Sequence, residues 1–273
     1  MPPGSCLSPS GILPRRSQKN PKDAVALETY NFAVGRLLAL IQKNQWAPWK
    51  QPVKLSTASG DFVLAWKRDP RPEWNPGLYR FVPADQFDVR GQFVAERAIK
   101  PGIGAPTVAI GREMNADYRE RFGLPRTYYG VTTLVRFENN RAEIAFEDPL
   151  ATEDVRFGKT KLPLAADFTV PIAVLLDSAN PRAMGIPRLL RPERHSATAR
   201  IFRLEPYDPN KTIILVVHGL MDSPVTWTPI VNALRANPGI RKNYQFWFFS
   251  YPSGLPYPYS AAILRDELDA VHA

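Results

Sequence analysis

The sequence is poor in the residues that support disulfide or metal chemistry. Its 273 residues include one cysteine, Cys6, and three histidines. A single cysteine excludes an intramolecular disulfide and a zinc site built from cysteines. The chain also has no run of about eighteen apolar residues, the length that a membrane-spanning helix requires, so no such helix is predicted. No metal or organic cofactor is implied.

The N-terminal residues lack the basic-then-apolar order of a complete signal peptide. We predict that residues 1–22 form a disordered tail rich in Pro and Ser. The sequence leaves the localisation open. The cytoplasm is the default, and export or a lipid anchor at Cys6 would require a start codon upstream of Met1.

Basic residues outnumber acidic ones by 35 to 26, which gives a net charge of +9. They are scattered rather than concentrated along one helix, which favours a solvated basic surface over a nucleic-acid interface. Peripheral contact with an anionic membrane stays open. Either kind of charged interface would have an affinity that falls steeply with salt.

The chain before residue 205 combines one helical segment with a long β-like region. Apolar residues at helical spacing predict an N-terminal helix within residues 23–50. Short β-like runs separated by Pro, Gly and Asn predict a β-rich accessory domain over 51–204. Within it, VTTLVRF and RAEIAFEDP predict a hairpin, and DFTVPIAVLLDS predicts an edge or bulged strand.

The pattern then changes to that of an α/β protein. TIILVV and YQFWFFSY are continuous apolar runs, as expected for strands buried on both faces of a parallel sheet. A helical pattern follows each of them. The order strand–helix–strand–helix predicts the first part of an α/β domain over 211–273.

The loop after the first of these strands is the candidate site. His218 and Gly219 make the turn, and Gly219 lets a substrate approach the backbone because it has no side chain. Ser223 followed by Pro224 predicts a helix that the serine hydroxyl caps. In open α/β sheets, ligands bind where strands end and helices begin. Free backbone N–H groups at such a place suit a developing oxyanion.

The block from ILVVHGLMDSPVTWTPIVNAL to FWFFSYPSG resembles the opening of the α/β-hydrolase catalytic domain, in its lipase- and esterase-like branch. In that family the backbone N–H just after the His-Gly pair forms part of the oxyanion hole. The resemblance implies that His218 and Gly219 are this pair. It makes Leu220 the favoured N–H donor and Met221 the second. Asp222 departs from the family, where a small residue or glycine often stands.

The nucleophile that this resemblance requires is not found in the sequence. The family carries it in a G-x-S-x-G elbow on the following strand, with the acid and the histidine later, and no such elbow occurs before Ala273. Ser196 follows a histidine, as the serine does in the family's Gly-His-Ser elbow, but both glycines of the elbow are absent, and we interpret this likeness as coincidental. Ser253 is interpreted as a turn residue and Ser260 as a helix cap. We therefore predict no nucleophile, acid or base among these residues, and an inactive front part of a longer protein.

Two functional interpretations follow. The first is a serine hydrolase, acting on small-molecule or lipid esters, whose oxyanion is held by the Leu220 N–H and whose serine lies downstream. The alternative is a non-catalytic, β-rich binding protein that retains a remnant α/β segment.

Overall fold

The structure, a computed structural model, describes residues 24–58, 60–69, 75–89, 96–114, 120–179, 199–220 and 222–272. The predicted disordered tail and residues Cys6, His195, Ser196 and Met221 lie outside these ranges. The chain divides into two compact units. Unit 1 comprises Met1–Asp88, Ile99–Arg112 and Tyr129–Val170, and unit 2 comprises Val89–Ala98, Glu113–Tyr128 and Pro171–Ala273.

Unit 1 begins with the predicted N-terminal helix, which is confirmed as α1, Ala24–Lys43. Its apolar residues recur at helical spacing and are buried in the core of the unit: Tyr30, Val34, Leu37, Leu38 and Ile41. The helix is long and apolar enough to cross a membrane, with a mean hydropathy of 1.3. A core helix passes the same test, and burial in unit 1 accounts for the apolar residues on this face, whereas Val25 and Phe32 are exposed.

The strands of unit 1 form one large sheet and two small ones. The strands are β1 Val53–Thr57, β2 Gly60–Trp66, β3 Tyr79–Pro83, β4 Ile99–Lys100, β5 Ala105–Gly111, β6 Tyr128–Glu138, β7 Arg141–Glu147, β8 Asp154–Phe157, β9 Thr160–Pro163 and β10 Ala166–Asp167. The large sheet has the order β1-β2-β7-β6-β5-β3. Its β2·β7 pair is parallel, whereas β1·β2, β6·β7 and β3·β5 are antiparallel.

The predicted hairpin is confirmed as β6 and β7. Their register pairs Val135 with Ile144 and Glu138 with Arg141. Asn139 occupies the turn with a φ of 52°, a conformation that asparagine tolerates better than most residues.

Two polar side chains of α1 bind the backbone of the β structure. The Tyr30 hydroxyl donates to the carbonyl of Val135 at 2.9 Å and accepts from the N–H of the same residue at 2.8 Å. The Asn31 amide donates to the Gly102 carbonyl at 2.9 Å and accepts from the Gly104 N–H at 2.7 Å. Because buried backbone groups must be paired, these contacts fix the helix in one place on the sheet.

Replacing Tyr30 with phenylalanine should lower the free energy of unfolding by about 2–4 kcal/mol, because it leaves two buried backbone groups of Val135 without a partner. The ring, and therefore the packing, is retained. The measurement is urea unfolding followed by circular dichroism. Val25→Ala, at a side chain that is 71% exposed on the same helix, is the control and should change little. A Tyr30→Phe variant as stable as the wild type would contradict the assigned role.

The prediction of a strand for DFTVPIAVLLDS is wrong, because most of this segment forms the helix α2, Val170–Ala179. The carboxylate of Asp167 accepts hydrogen bonds from the N–H groups of Thr169 and Val170, both at 3.0 Å. An acidic cap followed by proline in the first turn starts a helix, and here it outweighs the β preference of the apolar residues.

Unit 2 contains a three-stranded mixed sheet. Its strands are β11 Arg200–Arg203, β12 Thr212–Val217 and β13 Tyr244–Ser250, in the order β11-β13-β12. The predicted parallel pairing of the two apolar runs is confirmed for β12 and β13. β11, which the sequence placed in the β-rich region, pairs antiparallel with β13. The sheet is therefore not the fully parallel one expected.

The two apolar runs differ in burial. β13 is the central strand and is buried from Gln245 to Ser250, as predicted. β12 is an edge strand among the described residues, and only Val216 is buried. The prediction that both faces of this strand are buried is wrong for β12.

Helices cover both faces of this sheet. They are α3 Thr228–Ala236, α4 Pro238–Asn243 and α5 Tyr257–His272, with a 3₁₀ helix at Pro224–Trp227 before α3. On one face Phe246 and Phe248 pack in a cluster with Val231 of α3. On the other, Trp247 and Phe249 form a cluster with residues of α5. Unit 2 is thus mixed α/β, but its described strands do not form the complete parallel sheet of an α/β-hydrolase.

Candidate functional site

The loop that follows β12 lies where the two parallel strands of unit 2 end. Val217 is the last residue of β12 and pairs with Phe249 of β13. His218 therefore begins the loop beside the end of β13, and Tyr251 follows that strand directly. This is the carboxyl end of the parallel strand pair, the position at which open α/β sheets bind ligands.

The His218 side chain is buried, at 3% exposure, and packs on Tyr251. The two rings stack with centroids 4.3 Å apart and planes 13° apart. The backbone N–H of Tyr251 donates to Nε2 of His218 at 3.2 Å, and the Tyr251 hydroxyl donates to the carbonyl of His218 at 2.8 Å. Side chain and backbone of His218 are thus both bound to the residue that follows β13.

The hydrogen bonds assign the tautomer of His218. Since Nε2 accepts from a backbone N–H, the ring proton of the neutral imidazole is on Nδ1. Nδ1 lies 3.0 Å from the carbonyl oxygen of Gly219, which accepts that proton. Both ring nitrogens therefore bind backbone groups of the loop and of its neighbouring strand.

The orientation of the Gly219 carbonyl fixes that of the Leu220 N–H. A trans peptide unit is planar, with C=O and N–H pointing in opposite directions. Because the Gly219 oxygen faces the imidazole, the N–H of Leu220 points away from it. Leu220 is 58% exposed, and no group in the described part of the chain accepts a hydrogen bond from its N–H. The N–H of the predicted favoured donor thus bonds to no acceptor among the residues that the structure describes.

The space around Gly219 is open. A Cβ placed on this glycine would have no atom within 4 Å. Apart from the two chain neighbours of Gly219, no described atom therefore occupies the space beside its Cα. The position of the second predicted donor, Met221, lies outside the described residues.

The Asp222 carboxylate, and not the Ser223 hydroxyl, makes the side-chain hydrogen bonds at the start of the helical turn after the loop. Ser223 stands at the N-cap position, but its side chain makes no capping hydrogen bond. The carboxylate of Asp222 accepts from the Ser223 N–H at 2.7 Å and from the hydroxyl of Thr226. The predicted N-cap position of Ser223 before Pro224 is confirmed, but the predicted capping bond of its hydroxyl is wrong. A short 3₁₀ turn, rather than an α-helix, follows the loop.

Asp222 also affects Tyr251. Burial raises the pKa of the Tyr251 hydroxyl, and Tyr257 and Asp222 raise it further. The phenol therefore stays protonated at neutral pH and keeps its role as donor to His218.

Replacing Asp222 with alanine should lower the free energy of unfolding by about 1 kcal/mol, because it removes the acceptor of the Ser223 N–H and of the Thr226 hydroxyl. Ser223→Ala is the matched control and should change it by less than about 0.5 kcal/mol, because the serine side chain makes no capping hydrogen bond. Urea unfolding of both variants checks the difference. A larger loss for Ser223→Ala than for Asp222→Ala would contradict the role given to the Asp222 carboxylate.

Two of the serines weighed as nucleophiles in the sequence lie in described parts of unit 2, one in a turn and one in a helix. Ser253 is buried in the turn after β13, as predicted. Ser260 was predicted to cap a helix, but α5 begins at Tyr257 and Ser260 lies within its first turns. Its buried hydroxyl has no hydrogen-bond partner among the described residues. The cap prediction for Ser260 is therefore wrong.

The described residues contain no group of three or more His, Cys, Asp or Glu side chains that could hold a metal ion. Comparison of the chain with family models, with curated proteins and with solved structures found no match.

Proposed function

We propose that residues 211–272 form the oxyanion-binding part of a serine hydrolase that acts on carboxylic esters, with the α/β-hydrolase type of catalytic domain. The observation that carries this proposal is the N–H of Leu220, which bonds to no acceptor among the described residues. It lies at the carboxyl end of a parallel strand pair, and the bond between His218 and the Gly219 carbonyl sets its direction.

An N–H held in this way suits the transition state of ester hydrolysis. When a serine oxygen bonds to the carbonyl carbon, the π electrons of the carbonyl move onto its oxygen, which becomes negative. A donor already aimed at that oxygen stabilises it without reorganising, and such donors act at about 2.7–3.1 Å. The Leu220 N–H is part of the backbone and its direction is set by the bond between His218 and the Gly219 carbonyl, which supports this role.

The position of β12 suggests where the nucleophile would come from. β12 is at the edge of the described sheet, and its Ile213, Ile214 and Leu215 are only half-buried. A further parallel strand paired with this edge would lie about 4.8 Å from β12. Its carboxyl end would then lie beside His218 and Leu220. A serine there would be close enough to attack a carbonyl whose oxygen accepts from the Leu220 N–H.

The residues of this chain thus receive limited roles. Leu220 stabilises the oxyanion, Gly219 leaves room for the substrate, and His218 orients the loop. The serine, its general base and the acid that orients that base are assigned to none of them. The proposed substrates are small-molecule or lipid esters, and the reaction requires no metal.

The test compares two proteins: residues 1–273, and the product of the complete source transcript. Both are assayed with p-nitrophenyl butyrate and with a fluorophosphonate that labels activated serines. We expect hydrolysis and labelling for the complete product and neither for residues 1–273. A folded complete product that neither hydrolyses nor labels would contradict the proposal and favour a non-catalytic binding protein.

A further inference from the structure

Tyr251 makes three different contacts with His218, and together they restrain both its imidazole ring and its backbone carbonyl. The aromatic ring stacks on the imidazole. The Tyr251 N–H binds Nε2, and the hydroxyl binds the His218 carbonyl. The two residues are 33 positions apart in the sequence, so the contact joins the ends of β12 and β13.

We propose that Tyr251 is a positioning residue that holds the imidazole of His218 as the neutral Nδ1–H tautomer and thereby fixes the direction of the Leu220 N–H. The consequence for catalysis rests on the proposed function, whereas the effect on the imidazole does not.

The contacts select one tautomer over the other. With the proton on Nδ1, the ring accepts from the Tyr251 N–H and donates to the Gly219 carbonyl. With the proton on Nε2, two N–H groups would face each other, and the Nδ1 lone pair would face a carbonyl oxygen. Both contacts would then be repulsive in a buried place, where unpaired polar groups are costly.

The stacked ring keeps this geometry in place. The near-parallel planes of Tyr251 and His218 hold the imidazole in the orientation in which each nitrogen meets its backbone partner. If the ring rotated, the Gly219 carbonyl would lose its donor, and the peptide between Gly219 and Leu220 would be free to turn. The tyrosine side chain therefore acts on the oxyanion donor through the histidine.

Nitrogen NMR of the imidazole tests the tautomer. The ring nitrogens of the three histidines are observed at neutral pH, and His218 is identified by the signals that are missing from His218→Asn. We expect His218 to show one tautomer, with Nδ1 protonated and Nε2 unprotonated. A wild-type His218 in the Nε2–H form would overturn the inference.

Two variants separate the ring of Tyr251 from its hydroxyl. Tyr251→Phe keeps the stacked ring and the backbone N–H, so it should keep the single tautomer. Tyr251→Leu removes the ring and should give a mixture of both tautomers. The indole signal of Trp247, which is buried in β13, reports whether each variant remains folded. A folded Tyr251→Leu variant that keeps the single tautomer would show that the tyrosine ring does not position the histidine.

Acetate, a small carboxylate, then probes the donor itself. The Leu220 amide is identified in protein labelled with ¹⁵N-leucine as the signal missing from Leu220→Ala. In the wild type this signal should shift on addition of acetate, and the shift should be largely lost in Tyr251→Leu. If the tautomer results are as expected but the wild-type amide does not respond, the positioning role stands and the proposed oxyanion donor is contradicted. An equal response in the wild type and in folded Tyr251→Leu would overturn the positioning role.

Discussion

Leu220→Pro should lower the turnover of ester hydrolysis by about a hundredfold or more, the usual effect of removing one oxyanion-hole donor. Proline has no backbone N–H, so the substitution removes the proposed donor itself. The measurement is kcat on p-nitrophenyl butyrate, made on the product of the complete source transcript. The loss should appear in kcat more than in KM, because the bond strengthens only as charge develops on the oxygen.

Leu220→Ala is the matched control for this variant. It removes an exposed side chain but keeps the N–H, so turnover should change little. Because Leu220 is 58% exposed, neither variant is expected to open a cavity in the core. Unchanged turnover in a folded Leu220→Pro variant would mean that the donor lies elsewhere, with Met221 next in line.

Gly104→Ala should destabilise unit 1 by about 3–5 kcal/mol, combining backbone strain with overpacking. Gly104 has a φ of 105°, a conformation that an alanine rarely adopts. A Cβ at this position would overlap Cγ2 of Thr132 and lie 2.8 Å from Cδ2 of Leu134. Both neighbours are fully buried in β6, so they cannot move aside. The shift would also disturb the bond between the Gly104 N–H and Asn31.

Gly60→Ala separates the two causes of this loss. Gly60 has a similar φ of 119°, but a Cβ there would have no atom within 4 Å. Its substitution adds strain without overpacking and should cost about 1–2 kcal/mol. Urea unfolding of both variants gives the comparison. Equal losses would show that the clash with β6 is absent and that Gly104 is required only for its backbone conformation.

The sequence predicts those elements whose signal is local. The spacing of Tyr30, Val34 and Leu38 is enough to place α1. The β-branched and aromatic residues around Asn139 and Asn140 are enough to place the β6–β7 hairpin. The loop after β12 is also recognisable, since an apolar strand runs into His218 and Gly219. In each case the pattern and the structure depend on residues within a few turns or strands of one another.

Other features depend on competition or on distant residues, and the sequence pattern does not contain them. The apolar run after Val170 favours a strand, but the cap supplied by Asp167 decides for a helix. The same cap signal, an acid followed by proline, is legible in the sequence once capping is weighed before composition. The composition of TIILVV indicates burial, yet it does not reveal which strands pair with β12. Its edge position follows from the order of the sheet.

The contact between His218 and Tyr251 also depends on residues that are distant in the sequence. No spacing rule links two residues 33 positions apart. The link arises because β12 and β13 are parallel and end at the same side of the sheet. The sequence predicts the loop and, through the family resemblance, a favoured donor in it, but it does not reveal the contact with Tyr251. Likewise, serine is common at the N-cap position that Ser223 occupies, but the sequence does not show that its hydroxyl makes no capping bond and that the Asp222 carboxylate binds the Ser223 N–H and the Thr226 hydroxyl.

The most direct test of the proposed oxyanion site is the sequence of the source transcript beyond the codon for Ala273. We predict that it encodes an apolar strand followed by Gly-x-Ser-x-Gly, with an acidic residue and a histidine further on. That strand would pair with the outer edge of β12 and bring its serine to the Leu220 N–H. A stop codon directly after Ala273 would contradict the hydrolase proposal and direct the search for function to unit 1.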